Sequence, residues 1–168
     1  KHSEIDTTNL FQMIEKVGEE LEKYFYNKNY KILHKKDHSP ITSADIYAHE
    51  KISEYLIRST KIHVLSEESS LDEISQVSEP YWLIDPLDGT SHFINSRSCF
   101  SINIALIEKK QPTIGIIYLP ISKTLYFAQK NSGAFKQTMN DNAREKIKTR
   151  LFNSSQFTYL VSPSEKSS

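Results

Sequence analysis

Leu10, Met13, Ile14, Val17, Leu21, Tyr24 and Phe25 recur at three- and four-residue intervals, which predicts one apolar face of an amphipathic helix over about residues 8–26. Thr7, Thr8 and Asn9 stand where such a helix takes its N-cap. After a polar connection, K-K-D-H-S-P-I-T-S, the spacing of Ala48, Ile52, Tyr55 and Leu56 predicts a second helix starting near Ser43. Asp45 then falls in its first turn, where the helix dipole favours a negative charge and the carboxylate can cap free N–H groups.

From Ile62 the pattern shortens. Ile62 to Leu65 reads as a strand ending at S-E-E-S-S, and Tyr81 to Ile84 as another ending at D-P-L-D-G-T. Ile102 to Ile107, Ile114 to Leu119 and Thr124 to Ala128 continue as strands, with Pro120 in the turn between the last two. Asn140 to Arg150 is too polar for a core element and reads as a surface helix or loop, and Phe157 to Val161 as one more strand. This order predicts an α+β domain of layered helix and sheet, two helices on a mainly antiparallel sheet, with no internal repeat or linker dividing residues 1–168.

With 38% hydrophobic and 11% aromatic residues, the 168-residue chain can bury a core of its own. Lys plus Arg equal Asp plus Glu at 21 each, so no overall field points to a nucleic acid polymer or an anionic membrane. No apolar run reaches the ~20 residues of a membrane-spanning helix. The single Cys99 precludes an intrachain disulfide, favours a reducing, cytoplasmic setting and reads as a buried or half-buried thiol. Lys1 is preceded by no initiator Met, and S-P-S-E-K-S-S ends the chain just after its last predicted strand; the expectation is a polypeptide that naturally continues, or a truncated gene.

Three acidic groups fall at element boundaries: Asp45, the pair Glu67 and Glu68, and the pair Asp85 and Asp88. Strand ends in layered α/β folds converge on one crevice, so carboxylates distant in sequence can meet there, and hard oxygen ligands of this kind suit Mg²⁺. Pro86 fixes the backbone so that Asp85, the Leu87 carbonyl and Asp88 can face one cavity, while Gly89 and Thr90 open a helical turn whose N–H groups suit a phosphate. Taken singly, each group has a plainer reading: a turn and cap for Asp85 and Asp88, a solvated pair for Glu67 and Glu68, an N-cap for Asp45. His34, His38, His49, His63 and His92 lack zinc-type spacing, and Cys99 has no evident partner base.

S-P-I-T-S-A-D (39–45), L-S-E-E-S (65–69), W-L-I-D-P-L-D-G-T (82–90), F-S-I-N-I-A-L-I (100–107) and G-I-I-Y-L-P (115–120) together resemble the amino-terminal half of the inositol monophosphatase superfamily. Within it, K-K-D-H-S-P-I-T-S-A-D is most similar to the CysQ-type 3'(2'),5'-bisphosphate nucleotidases. The resemblance implies the sugar-phosphatase fold and a Mg²⁺-dependent phosphomonoesterase acting on a small phosphorylated substrate, a nucleotide bisphosphate or an inositol phosphate, in an enzyme that is often a homodimer. It assigns a first Mg²⁺ to Glu67, Asp85 and the Leu87 carbonyl, and a second to Asp85 and Asp88. Asp45 and Thr90, with Glu67, orient and deprotonate the attacking water, while Gly89, Thr90 and Asp88 meet the substrate. Two departures stand out: Ser91 and His92 occupy positions where the nucleotidases carry a basic and an acidic residue, and the carboxy-terminal half, whose Trp-Asp motif completes the second metal site, is absent. A truncated homologue that binds metal without turnover is therefore the competing expectation.

Overall fold

The computed structural model describes residues 5, 7–35, 38–67, 69, 77–139 and 143–151. Two helices, α1 (Thr7–Asn27) and α2 (Ser43–Thr60), flank a two-stranded hairpin of β1 (Ile32–His34) and β2 (Pro40–Thr42). Then follow β3 (His63–Ser66), β4 (Tyr81–Asp88), a short α3 (Thr90–Ile94), β5 (Ser101–Glu108), β6 (Gln111–Leu119), β7 (Thr124–Gln129), β8 (Gly133–Thr138) and β9 (Arg144–Ile147). Strands β3 to β9 form one seven-stranded sheet in sequence order, with β3 parallel to β4 and every later pair antiparallel.

Alternation along the strands explains the layering. Trp82 and Ile84, Ile102, Ile104 and Leu106, and Ile114, Ile116 and Tyr118 all point to one face, where they meet Leu10, Ile14, Val17 and Leu21 of α1 and Ala48, Ile52 and Leu56 of α2. The buried Trp82 indole donates its Nε1–H to Thr60 Oγ1 at 3.1 Å, so its polar edge carries no desolvation penalty. Lys61, in the left-handed region at φ 60°, closes α2 by donating its N–H to the Ile57 carbonyl and turns the chain into β3. The opposite face is open: Leu83 and Ile117 are 45% and 47% exposed, and with Ala105, Tyr126 and Ala128 they line a groove of about 820 Å³.

Two expectations change. The polar K-K-D-H-S-P-I-T-S segment contains β2, because the backbone of Pro40–Thr42 pairs with Ile32–His34 whatever its side chains prefer. Arg144–Ile147, within the segment expected to be a surface helix or loop, is the edge strand β9, and the charges that hid it suit an exposed sheet edge. It pairs with β8, which has one large apolar residue, Phe135, against which the Arg144 guanidinium stacks at 4.3 Å. The predicted strand at residues 157–161 lies outside the described residues. Among the described residues no helix is long and apolar enough to cross a membrane.

Gly18 marks the tightest contact between α1 and the sheet. A Cβ there would lie 2.4 Å from Cε1 of the fully buried Tyr118 and 3.4 Å from Pro120. Gly18→Ala adds about 1 kcal/mol of helix propensity, but overpacking a rigid aromatic contact costs about 1–3 kcal/mol, and a clash this short belongs at the upper end. Urea denaturation is expected to show a net loss of about 1–2 kcal/mol; a more stable variant would mean that helix and ring separate easily.

Candidate metal centre and active site

Parallel pairing sets the first contact of the site. Ser66 lies beside Ile84 in the register of β3 and β4, so Glu67 and Asp85, the next residues, leave neighbouring strand ends together. A bulge sets the second. Strict alternation puts residues three apart on opposite faces, yet Asp85 pairs with Asn103 and Asp88 with Ser101, two residues apart on β5. The extra residue in Pro86-Leu87 brings both carboxylates to the open face, where they line the groove with Ser66, Glu67, Ser101 and Asn103. Proline suits this position because a bulge leaves no ladder bond for an N–H to make.

Helix α2 supplies the third contact. Thr42 is its N-cap: Thr42 Oγ1 accepts from the N–H of Ala44 at 3.1 Å and of Asp45 at 3.4 Å, while Asp45 Oδ2 accepts from Thr42 N–H at 2.8 Å and Thr42 Oγ1–H at 2.5 Å. Asp45 is thus the reciprocal partner in a capping box and is fixed and buried. Its other oxygen, Oδ1, accepts from Thr90 Oγ1 at 2.8 Å, and the Leu87 carbonyl stands 3.1 Å from the same hydroxyl. Gly89 makes the approach possible at φ 91°, where a Cβ would lie 2.6 Å from the Cys99 carbonyl oxygen. That carbonyl lies against Gly89, whereas the Cys99 thiol is exposed, contrary to expectation.

Electrostatics makes Asp85 the least comfortable of the acids. Burial, then the charges of Glu67 and Asp88, and more weakly that of Asp45, push its pKa up to about 7 against a smaller opposing hydrogen bond from the Leu87 N–H. Its Oδ1 is buried with no hydrogen-bond partner. The other acids are drawn aside: Glu67 pairs with Lys35 Nζ at 3.0 Å, and Asp88 Oδ2 accepts from Asn103 Nδ2 at 3.1 Å with Ser101 Oγ at 3.4 Å. Among the described residues no three His, Cys, Asp or Glu side chains already stand as a coordination set. Even so, an orphaned buried carboxylate oxygen between two further carboxylates is a donor set that fits a hard divalent cation.

The structure brings together Asp45, Glu67, Asp85, Leu87, Asp88, Gly89 and Thr90, while Glu68 lies outside the described residues. The sequence reading missed Thr42, Lys35, Ser101 and Asn103. Thr42 was legible as the first position of T-S-A-D, a capping-box spacing. Asn103 stood as a polar residue within an apolar strand, whereas Lys35 had no local signal.

Fold and site together define a layered helix-and-sheet chain with a cluster of carboxylates at one end of an open groove, and comparison gives the family to which it belongs. The profile of the inositol monophosphatase family matches residues 3–167, and the chain belongs to that family. It is 36% identical over 137 residues to the 3'(2'),5'-bisphosphate nucleotidase CysQ of Aggregatibacter actinomycetemcomitans, covering 77% of this chain and 51% of that protein. With the CysQ of Salmonella typhimurium the identity is 49% over 96 residues, covering 56% of this chain and 39% of the relative. The crystal structure of CysQ from Bacteroides thetaiotaomicron, described as a bacterial member of the inositol monophosphatase family, superposes with a TM-score of 0.66 at 30% identity, covering 84% of this chain and 57% of that one. The chain therefore spans about half the length of the relatives it matches.

The raised pKa of Asp85 sets a pH dependence. A carboxyl that prefers its neutral form in the folded state binds more protons folded than unfolded between the ordinary value of 3.8 and about 7. Stability therefore falls as pH rises through that window and is flat above it. In chelator, Asp85→Asn is expected to match wild type near the bottom of the window and exceed it at pH 8, with Mg²⁺ narrowing the gap at pH 8. Urea midpoints test this, and parallel pH profiles for the two proteins would contradict it.

Proposed function

We propose that this chain carries the metal-binding and water-activating half of a Mg²⁺-dependent phosphomonoesterase, most like one that hydrolyses adenosine 3',5'-bisphosphate to AMP and phosphate. The observation that carries the reading is the convergence of Glu67, Asp85 and Asp88 on one groove end beside the Thr90–Asp45 hydrogen bond. CysQ relatives at 36% and 49% identity support the nucleotidase branch. Glu67, Asp85 and the Leu87 carbonyl would hold one Mg²⁺, and Asp85 with Asp88 a second. When bound, Mg²⁺ neutralises charge on the phosphoryl group and the leaving oxygen.

The chain's own chemistry centres on Thr90. Its hydroxyl donates to Asp45 Oδ1 at 2.8 Å, which Thr42 holds from the far side, with the Leu87 carbonyl as the longer alternative acceptor at 3.1 Å, so the Thr90 oxygen keeps a lone pair for a water. A water donating to that oxygen has its own lone pair free to attack phosphorus, and Glu67 is the nearby carboxylate able to take its second proton. Gly89 and Thr90, where α3 begins, are placed to meet the phosphate. No residue need be phosphorylated.

Phosphate release from adenosine 3',5'-bisphosphate and from an inositol monophosphate, at saturating Mg²⁺, tests the reading. The full-length polypeptide is expected to turn over the nucleotide in preference, and Thr90→Ala to lower that turnover by roughly 10² or more with the fold intact. The 168-residue chain alone is expected to release phosphate slowly or not at all, since two crowded carboxylates hold a second cation weakly and losing it costs on the order of 10³ in rate. Preference for the inositol ester would move the assignment to the inositol branch. A competent rate from the chain alone would show that this half suffices.

A further inference from the structure

Alternation along β5 sends Ile102, Ile104 and Leu106 into the core and leaves Ser101, Asn103 and Ala105 on the groove side. Ala105 continues the apolar floor of the groove, whereas Asn103 stands where that floor meets the carboxylates. Asp85 is its partner in the register of β4 and β5, yet the Asn103 amide reaches past it: Nδ2–H donates to Asp88 Oδ2 at 3.1 Å. Ser101, opposite Asp88 in the same register, backs this contact, with its Oγ 3.4 Å from Asp88 Oδ2 and 3.3 Å from Asn103 Oδ1. The hydroxyl has one proton for two acceptors. Given to Asn103 Oδ1, that proton fixes the amide with its NH₂ group toward the carboxylate; the reversed amide would set two acceptor oxygens face to face.

We propose that Asn103 is a positioning residue that makes Asp88 a one-oxygen ligand and so tunes this centre for Mg²⁺ over the larger Ca²⁺. The inference rests on the reading of Asp88 as a metal ligand and names the residue that sets how it binds. Both donors meet Oδ2, so Asp88 keeps Oδ1 for a cation and cannot turn to present two oxygens at once without breaking the contact. Mg²⁺ demands near-octahedral geometry and is served by single, well-aimed oxygens, whereas Ca²⁺ gathers about six to eight and accepts a carboxylate through one oxygen or both. Asn103 is half-buried and Asp88 exposed, so the bond adds no core packing. What it fixes is the direction of the carboxylate.

Calorimetric titration with Mg²⁺ and, separately, with Ca²⁺, without substrate, tests this. Asn103→Leu and Asn103→Ala are expected to lower Mg²⁺ affinity about tenfold and to leave Ca²⁺ affinity unchanged or higher. Asn103→Gln, which keeps a donor, should fall between them and wild type. The ratio of the two affinities is read within each variant, so a general loss of folding, which lowers both, does not imitate the effect. In an Asp88→Asn background, Asn103→Leu should change nothing further. An equal loss for both ions, no change for either, or a loss that persists without the Asp88 carboxylate overturns the role of Asn103. Equal Mg²⁺ binding by wild type and Asp88→Asn overturns the reading of Asp88 as a ligand, a failure distinct from that of Asn103.

Discussion

Everything about this site follows from crowding negative charge at two strand ends. Asp85 is half-buried, lacks a partner for one oxygen and faces Glu67 and Asp88, so its ionised form is disfavoured until about pH 7. A fold has no stability reason to build such a centre, because unpaired buried charge opposes folding. Under the proposed function, a cation would supply the missing charge. The ion pair of Glu67 with Lys35 and the hydrogen bonds of Asp88 with Asn103 and Ser101 are the protein's own partial compensation.

The rest of the molecule makes that crowding rigid. Leu87, between the two aspartates in sequence, is buried in the core, as are Phe93 of α3 and Phe100 just before β5, whose rings meet edge to face at 5.0 Å. Apolar packing therefore holds the turn from both sides, and the carboxylates cannot relieve their repulsion by moving the backbone. The capping box does the same for Asp45. The site is thus preorganised by ordinary core burial and helix capping.

Much of this was legible in the sequence. The apolar periods of Leu10 to Phe25 and Ala48 to Leu56 specify helices because a helix has one face to bury, and the alternation in Ile102 to Ile107 specifies a strand for the same reason. Where burial gave no signal, the reading failed. Pro40–Thr42 and Arg144–Ile147 are strands through backbone pairing to a neighbour, a property of the partner as much as of the segment. Cys99 was read as buried or half-buried, next to a strand, yet local position does not say which way a side chain turns, and it is exposed.

The sequence by itself determined the chemistry available: acidic residues at the ends of apolar runs, a proline and a glycine to shape their turn, and a threonine behind them. Local rules suffice for that, because turn geometry and strand ends are set by near neighbours. Only the tertiary structure decided which of these groups meet. A parallel register sets Glu67 beside Asp85, a bulge turns Asp88 to the same face, a capping box aims Asp45 at Thr90, and a hairpin carries Lys35 to Glu67 across 32 positions. Each depends on strand order, register or loop closure, and these come from packing the whole chain around one core, so no single segment encodes them.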